Sequence, residues 1–387
     1  MAHSYILGQS GTGKSTVLKQ RVLDRIKDGH GVFYLDPHGH DTNDLLQHIP
    51  ASRRADVILF DPSREDVLSF NPLEDASNIP LSASILLDTI KDAWGYSGTP
   101  TPVMDMYLYF GLAALSEAKE TLLGLPYILS DRGYRDTVLE DVKDDVVKLF
   151  WLSFNAMTPK EQREQVSSTL NKALMLIADT RIRRVLALNR SSFQCADVVS
   201  HKIFLACLPQ GQLSKGRTSL LGSVLLSLMH QACLARDTTV PFHFVLDECH
   251  LWAPSVVKEM LSGIRKFNVE VTLAHQFIDQ LDPTYYAAIT GNCSEQIVFR
   301  TSMDDARRLE ARFGPNQMST NFDQLPNFKA RQFPFSPRTP ELTVAPFTAK
   351  PYARSESDIL AHHRLALTKR PEVADRVIAE FMKRLGG

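Results

Sequence analysis

A glycine-rich octapeptide near the start of the sequence limits the fold more than any other segment does. Residues 8–15 read Gly-Gln-Ser-Gly-Thr-Gly-Lys-Ser and match the pattern G-x-x-x-x-G-K-[ST] in full. An apolar, strand-like segment precedes the octapeptide and a helical pattern follows it, which is the context that this pattern requires. The segment therefore predicts a strand, a phosphate-binding loop and a helix in succession.

The residues of this loop have predicted roles in binding a nucleoside triphosphate. Glycines allow backbone N–H groups to surround phosphates at the start of the following helix. We expect Lys14 to pair with the β- and γ-phosphates and Ser15 to hold Mg²⁺. The predicted ATP-binding residues are Gly8, Gln9, Ser10, Gly11, Thr12, Gly13, Lys14, Ser15 and Thr16. The motif indicates nucleotide binding and leaves open what the energy of hydrolysis is used for.

Short apolar segments rich in β-branched and aromatic residues recur along the sequence and predict strands. They lie at residues 5–7, 32–35, 57–60, 203–207, 242–246, 269–274 and 296–299. Helical patterns separate many of them, and such alternation favours a parallel sheet with right-handed crossovers. We predict an α/β fold of the RecA-like P-loop NTPase type, with a mainly parallel central sheet and an inserted all-helical subdomain.

The segment between about residues 74 and 198 has a mainly helical pattern, and no convincing strand lies between residues 60 and 203. Helices are predicted at residues 81–94, 104–118, 139–154 and 160–177, and a last helix at residues 371–385. We predict a discontinuous P-loop motor domain at residues 1–73 and 199–335, the helical subdomain at residues 74–198, and a proline-rich arm with the C-terminal helix at residues 336–387.

Two adjacent acidic residues follow the strand predicted at residues 242–246. In P-loop NTPases the first acid at such a strand end coordinates Mg²⁺, so Asp247 is a predicted metal ligand alongside Ser15. The second acid, Glu248, is placed to polarise the attacking water. Asp36 also follows a strand, and two interpretations of it are equally open: an outer contact to Mg²⁺, or the turn and helix-cap role that Asp-Pro-His-Gly suggests.

Three further side chains near strand ends are candidates for catalysis. The amide of Gln276 can contact the γ-phosphate or the lytic water, although His-Gln after a strand is also typical of an ordinary loop. Arg265 and Arg300 could each act on the γ-phosphate of a neighbouring subunit, and each could equally form a surface salt bridge.

The charge balance restricts how a polyanion could bind. The sequence has 43 lysine and arginine residues and 44 aspartate and glutamate residues, a formal net charge of −1. A protein that coats nucleic acid through bulk charge should be far more basic, so any such contact must be local. Lys215 and Arg217 follow the strand predicted at residues 203–207, in a glycine-containing segment that we interpret as a mobile loop touching DNA phosphates. A solvated loop without a ligand is an equal alternative, and the arginines at residues 181–184 form a second basic cluster.

Several motifs along the chain occur in a recognisable order. After the glycine-rich loop come Asp-Pro-His-Gly at 36–39, Phe-Asn-Pro-Leu at 70–73, the helical segment, Leu-Asp-Glu at 246–248, Leu-Ala-His-Gln at 273–276, Phe-Arg at 299–300 and Leu-Pro-Asn at 325–327. This order resembles the HerA/FtsK superfamily of ATPases, and within it the TraG/TraD-like conjugative coupling ATPases of type IV secretion. The resemblance runs along nearly the whole chain.

The resemblance implies a homo-oligomeric ring, usually a hexamer, that uses ATP and Mg²⁺ to pull single- or double-stranded DNA through its central pore. It assigns Lys14 and Ser15 to phosphate and Mg²⁺, Asp247 to Mg²⁺, Glu248 to water activation and Gln276 to sensing. It favours Arg265 over Arg300 as the arginine that acts on the next subunit.

The sequence departs from the family pattern in two places. The family usually has Asp after Asp-Pro-x-Gly, whereas here His40 stands at that position and Asp41 comes next. Coupling proteins also carry N-terminal membrane helices, whereas this sequence has no run of about 18–20 apolar residues. We therefore expect a cytoplasmic protein without a membrane span of its own, which a membrane or secretion-channel partner could recruit.

The leading hypothesis for function is a ring-forming, DNA-translocating ATPase of plasmid transfer, a mobile element or genome packaging. The alternative is an ATP-driven assembly or protein-translocating switch ATPase that does not bind DNA directly, which the near-neutral charge keeps open. A small-molecule kinase fits poorly, because its acceptor pocket would need neither the acidic pair at 247–248 nor the long helical insert.

Overall fold

The computed structural model describes residues 2–66, 68–75, 77–313, 322–333, 342–345, 347 and 350–385. The chain divides into two compact units. The first, here the sheet unit, comprises residues 1–60, 195–210 and 229–362. The second, here the helical unit, comprises residues 61–194, 211–228 and 363–387.

A nine-stranded sheet forms the centre of the sheet unit. Its strands are β1 (His3–Leu7), β2 (Gly31–Asp36), β3 (Val57–Phe60), β4 (Ile203–Cys207), β5 (Phe242–Leu246), β6 (Val269–His275), β7 (Cys293–Val298), β8 (Lys329–Phe333) and β9 (Leu342–Thr343). They lie in the order β3-β4-β2-β5-β6-β1-β7-β8-β9. Strands β1 to β7 pair in parallel, and β8 and β9 extend the sheet antiparallel at one end. The prediction of a mainly parallel α/β fold is confirmed.

Seventeen α-helices accompany these strands in the described part of the chain. They are α1 (Lys14–Lys27), α2 (His40–Leu46), α3 (Ile79–Ala93), α4 (Pro102–Glu117), α5 (Leu125–Ser130), α6 (Arg132–Asp141), α7 (Asp145–Asn155), α8 (Pro159–Ile177), α9 (Thr180–Leu186), α10 (Cys195–His201), α11 (Gln210–Leu213), α12 (Lys215–Leu234), α13 (Pro254–Gly263), α14 (Pro283–Asn292), α15 (Met303–Phe313), α16 (Ser355–Ala366) and α17 (Pro371–Leu385). Helices α3–α9 and α17 belong to the helical unit.

Strands β1 to β6 of the central sheet are mainly apolar because both of its faces are covered. Every residue of β1 to β6 is buried. On one face, Ile6, Tyr34 and Val245 pack in a single cluster with Leu18 of α1 and Leu45 of α2. Continuous apolar strands of this kind are typical of a parallel sheet between two layers, since successive side chains alternate between the faces.

The helical segment agrees with the sequence patterns except at one break. No strand lies between β3 and β4 among the described residues. The helix predicted at residues 139–154 is instead two helices, α6 and α7. The chain breaks there because the Asp144 side chain accepts hydrogen bonds from the N–H groups of Val146 and Val147, which caps the start of α7.

The compact units partition the chain differently from the predicted domains, whose boundaries stay a prediction. Residues 211–228 and the C-terminal residues 363–387 belong to the helical unit. Within that unit, both guanidinium contacts of Arg184 to Asp375 on α17 measure 2.7 Å. The prediction for residues 371–385 matches α17, whereas α16 and β9 were not predicted. Residues 334–341 of the predicted proline-rich stretch lie outside the described residues.

The prediction of a mobile loop around Lys215 and Arg217 is wrong. Residues 210–213 form α11 and Lys215 begins α12, with only Ser214 in the left-handed region at a φ of 74° between them. Arg217 is anchored, because its guanidinium donates to the Met175 carbonyl at 3.1 Å and lies 3.9 Å from an Asp179 carboxylate oxygen. Glycine residues here stand inside helical turns, which the local composition did not distinguish from a loop.

No described helix is both long enough and apolar enough to cross a lipid bilayer.

Candidate nucleotide site

Three adjacent parallel strands bring most of the predicted site residues to one edge of the sheet. Strand β6 lies between β1 and β5, with Leu7 opposite His275 and Leu246 opposite Leu273. Parallel strands end at the same edge, so the loops that follow these three strands leave the sheet side by side. The glycine-rich loop, the acidic pair and Gln276 therefore share this edge.

The glycine-rich loop has the backbone conformation of a phosphate cradle. Gly11 and Gly13 have φ values of 77° and 118°, which side chains other than glycine rarely adopt. Gly13 caps the start of α1 without a side-chain acceptor, so the first-turn N–H groups stand at the positive end of the helix. A Cβ on Gly8 would lie 2.5 Å from the Cβ of Phe299, so that position also requires glycine.

The ammonium group of Lys14 lies inside this loop. It donates hydrogen bonds to the carbonyl oxygens of Gly8 and Gln9. Burial lowers the pKa of Lys14, while the charges of Glu248 and Asp247 favour its protonated form. The loop thus holds a cation at the position where the motif expects phosphate oxygens to be paired.

Two other segments hold the outer side of the loop. The Gln9 N–H donates to the Arg300 carbonyl at 2.9 Å, and the Phe328 N–H donates to the Thr12 carbonyl at 2.7 Å. Phe328 was not predicted as a site residue, although it directly follows the Leu-Pro-Asn motif at 325–327. The cradle is therefore fixed by backbone contacts from the ends of β7 and the start of β8.

The acidic pair at the end of β5 is almost fully buried. Asp247 and Glu248 are each 5% exposed. The Glu248 N–H donates to Asp247 Oδ1 at 3.0 Å, and Glu248 has a φ of 46°, which is unusual for a residue other than glycine. Burial and then the neighbouring Glu248 charge raise the pKa of Asp247 to about 7. Strained backbone is a feature of functional sites, so the turn at Glu248 supports a role for this pair.

Gln276 contacts the second acid directly. Its Nε2 donates to Glu248 Oε1 at 2.6 Å. Burial acts to raise the pKa of Glu248, but the nearby His38 and Gln276 outweigh it and lower that pKa. His250 adds to this environment, since its Nδ1 lies 3.4 Å from Glu248 Oε2. Glu248 is thus held ionised and oriented at the edge of the sheet.

Gln280 supports the Gln276 turn and was not predicted from the sequence. Its Oε1 accepts hydrogen bonds from the N–H groups of Gln276 and Phe277, at 3.0 and 3.1 Å. It also lies 3.3 Å from Nδ1 of the buried His275. A polar residue four positions after Gln276 was the available signal, but its partners depend on the turn itself.

Asp36 has the turn role rather than an outer contact to a metal. Its Oδ1 accepts from the N–H groups of His38 and Gly39, at 2.9 and 2.8 Å, and its Oδ2 accepts from the Thr42 N–H at 2.8 Å. Both carboxylate oxygens are engaged by the backbone that leads into α2.

Asp41, unlike Asp36, has neighbours at the end of the phosphate loop and on α1. It lies near the Ser15 hydroxyl, 3.2 Å from the Tyr34 hydroxyl and 3.5 Å from the Lys19 ammonium. Burial, and then the charge of Asp36, raise the pKa of Asp41.

The residues present fit Mg²⁺ bound together with a nucleotide. The described residues contain no group of three or more His, Cys, Asp or Glu that could hold a metal alone. Mg²⁺ typically takes one or two carboxylates together with substrate phosphates, so a partial ligand set is what this ion needs. The Ser15 hydroxyl and the Asp247 carboxylate would supply it, and a divalent cation would stabilise the buried charge of Asp247.

The two candidate arginines lie at opposite edges of the sheet. Arg300 directly follows β7, at the edge that carries the glycine-rich loop. Arg265 precedes β6 and its charge acts on His3 at the start of β1, so it lies at the other edge and is exposed. Neither side chain forms an ion pair with another described residue. Lys215 and Arg217 belong to the helical unit and not to this site.

Comparison with known proteins was made on this fold and site. Residues 241–329 match a family model described as the TraM recognition site of TraD and TraG. No curated protein sequence matches the chain.

Solved structures with a similar fold include those of the plasmid coupling protein TrwB and of VirB4. The plasmid coupling protein TrwB in complex with ADP and Mg²⁺ has 14% sequence identity and a TM-score of 0.65, over 92% of this chain and 87% of that chain. VirB4 of Thermoanaerobacter pseudethanolicus has 15% identity and a TM-score of 0.63, over 91% of each chain. TrwB in complex with the ATP analogue ADPNP has 14% identity and a TM-score of 0.63, over 91% of this chain and 86% of that one.

The family match covers part of the elements that build the site. It begins one residue before β5 and ends at the first residue of β8, so it includes the acidic pair, Gln276 and both candidate arginines. The fold of the chain is similar to that of the plasmid coupling protein TrwB, and residues 241–329 are similar to the family model described for TraD and TraG.

Proposed function

We propose that the chain hydrolyses ATP at the shared edge of β1, β6 and β5. The observation that carries this proposal is the Glu248 carboxylate, which is held 2.6 Å from Gln276 Nε2 beside the buried Asp247. An ionised, oriented carboxylate next to a phosphate loop has the chemistry of a general base for water.

Each side chain takes one part of the reaction. The Lys14 ammonium pairs with β- and γ-phosphate oxygens, which replace its present carbonyl partners in the loop. Ser15 and Asp247 hold Mg²⁺, which when bound neutralises charge on the phosphates. Glu248 accepts a proton from the attacking water. Gln276 responds to this protonation because its amide is hydrogen-bonded to the same carboxylate.

We further propose that hydrolysis drives the translocation of DNA through a homo-oligomeric ring, as in a conjugative coupling motor. The family match and the fold support this assignment. Arg265 and Arg300 support it as well, because neither is paired within the described chain and either is available to the γ-phosphate of a neighbouring subunit. An arginine supplied in trans contributes about 10³–10⁵ in turnover where it has been measured.

A protein partner is also part of the proposal. The matched family model is described as a recognition site for TraM, so we propose that residues 241–329 include a surface that binds a protein component of the transfer machinery. A membrane or secretion-channel partner would then recruit the motor.

The proposal is tested by measuring ATP hydrolysis with and without single- and double-stranded DNA. We expect ATPase activity that DNA stimulates, and loss of that activity in Lys14→Ala. Exposed Glu259 on α13 offers a matched control, because Glu259→Gln changes the same functional group away from the site. Absence of hydrolysis in the wild-type chain under all conditions would contradict the assignment.

The alternative is an ATP-driven assembly or protein-translocating switch without direct DNA binding. The net charge of −1 and the anchored state of Arg217 favour it. ATPase activity that is stimulated by a partner protein and not by DNA, together with no DNA binding at low salt, would select this alternative.

A further inference from the structure

We infer that the ring of Phe328 is the surface on which the base of the bound nucleotide stacks. Phe328 takes this role only if ATP binds the glycine-rich loop as proposed above. It would then recognise the nucleoside half of the substrate, whereas the loop recognises the phosphates.

The ring lies against the last glycine of the phosphate cradle. Its Cδ1 is 3.1 Å from the position that a Cβ on Gly13 would occupy. Gly13 is the residue at which α1 begins, and the N-terminus of that helix is where phosphates bind. The sugar and base are attached to the innermost phosphate, so they must leave the cradle past the residues that border it, and the partly exposed Phe328 ring borders Gly13.

Hydrogen bonds fix the backbone of Phe328 in that place. The Phe328 N–H donates to the Thr12 carbonyl at 2.7 Å, and the Phe328 carbonyl accepts from the Val344 N–H at 2.8 Å. The residue is therefore tied to the phosphate loop on one side and to the end of β9 on the other. A fixed aromatic ring loses little conformational freedom when a ligand stacks on it.

Core packing does not account for an aromatic residue at this position. The residue is 38% exposed, so its ring is only partly removed from water. Its φ of 63° lies in the left-handed region, where glycine or asparagine would be less strained. Stacking of a base would cover the exposed part of the ring and gives the side chain a function that offsets the strain.

An aromatic ring stacks on any base, because every base has a π-face. The described residues that fix Phe328 do so through backbone groups. These contacts do not distinguish the hydrogen-bonding edges of one base from those of another. We therefore expect adenine and guanine nucleotides to bind with similar affinity, and the contribution of Phe328 to be the same for both.

The experiment compares the binding of ADP with that of inorganic pyrophosphate, which has the same phosphates and no base. In calorimetry with Mg²⁺, Phe328→Ala and Phe328→Leu are expected to weaken ADP binding about tenfold. Binding of pyrophosphate should remain within twofold of wild type. Phe328→Trp should keep ADP affinity and show a fluorescence change with ADP that pyrophosphate does not produce.

The Leu variant guards against a packing defect, because it retains an apolar contact with Gly13 but has no ring. Tyr352→Ala is the matched control, since this half-exposed aromatic lies on the segment bonded to the Gln47 carbonyl at the end of α2. Equal loss of ADP and pyrophosphate binding in the Leu variant would overturn the stacking role, as would unchanged ADP binding in both truncations. Failure of the proposed function is a separate result: the wild-type chain would bind neither ligand.

Discussion

The replacement Glu248→Gln separates nucleotide binding from hydrolysis, and the contacts of this residue set the expected size of the effect. Glu248 Oε1 accepts from Gln276, and a glutamine carbonyl oxygen can keep that bond. Glu248 Oε2 has no hydrogen-bond partner among the described residues, so an amide nitrogen in its place breaks no such bond. We therefore expect the variant to fold with nearly unchanged stability.

The chemical step is where the loss should appear. General base catalysis contributes about 10²–10⁴-fold, so we expect kcat to fall by about that factor, or roughly 2.7–5.5 kcal/mol at about 1.36 kcal/mol per tenfold. The affinity for Mg²⁺–ATP should stay the same or become slightly tighter. The reason is that the charge of Glu248 contributes to the raised pKa of Asp247, and its removal makes Asp247 a better metal ligand at neutral pH.

The assay is steady-state phosphate release combined with calorimetric binding of a non-hydrolysable ATP analogue, with Glu259→Gln as the control. A kcat within tenfold of wild type would refute the role of Glu248 as the base. Loss of analogue binding with a normal melting temperature would show instead that Glu248 belongs to the binding site.

Further perturbations test the other parts of the site. Lys14→Ala should abolish hydrolysis and weaken triphosphate binding by at least tenfold, measured by calorimetry, because it removes the cation inside the loop. Asp247→Asn should raise the melting temperature by several degrees at pH 8 and by little at pH 4. The reason is that the pKa of Asp247 in the folded state, about 7, lies above its value in the unfolded state. The buried carboxylate therefore lowers stability as the pH rises from the unfolded-state pKa through the folded-state pKa. Arg265→Ala should bind ATP normally and lose most activity, and mixing it with Glu248→Gln should restore some turnover; the same pair of assays on Arg300→Ala decides between the two arginines. Lys215→Ala should weaken DNA binding equally for all sequences and reduce its salt dependence, whereas Arg217→Ala should chiefly lower thermal stability because it releases the Met175 carbonyl.

Strands β1 to β6 were predictable because each is a short, wholly buried and mainly apolar run, and of β7 only the buried end was predicted. Strand β8 was missed for the same physical reason, since its sequence Lys-Ala-Arg-Gln-Phe is only partly buried and has no such run. The residues around Lys215 were predicted incorrectly because glycine in a sequence indicates flexibility. In the structure, Arg217 contacts Met175 and Asp179, which are distant in the sequence, and these contacts hold the segment in helical form.

The chemistry of the site was predictable where it depends on strand ends. Asp247, Glu248 and Gln276 each follow a strand, and the sheet order brings those strands together with β1. Gln280 and Phe328 were not predictable in this way. Their roles depend on turns whose shape no local pattern records, namely the bonds of Gln280 to the Gln276 turn and of Phe328 to Thr12. The choice between Arg265 and Arg300 depends on a second subunit and is therefore outside the information in one chain.

The position of Asp41 explains how the site accommodates its departure from the family pattern. The family has Asp directly after Asp-Pro-x-Gly, but His40 occupies that position and is the first residue of α2. Because the chain enters a helix there, a shift of one residue rotates a side chain by about 100° around the helix axis. Asp41 then projects toward α1, where it lies near Ser15 and Lys19. An acid next to the hydroxyl that would hold Mg²⁺ can orient that hydroxyl, so Asp41→Asn should weaken Mg²⁺-dependent ADP binding while Mg²⁺-free binding changes little. Equal weakening with and without Mg²⁺ would instead assign Asp41 to the fold of the loop.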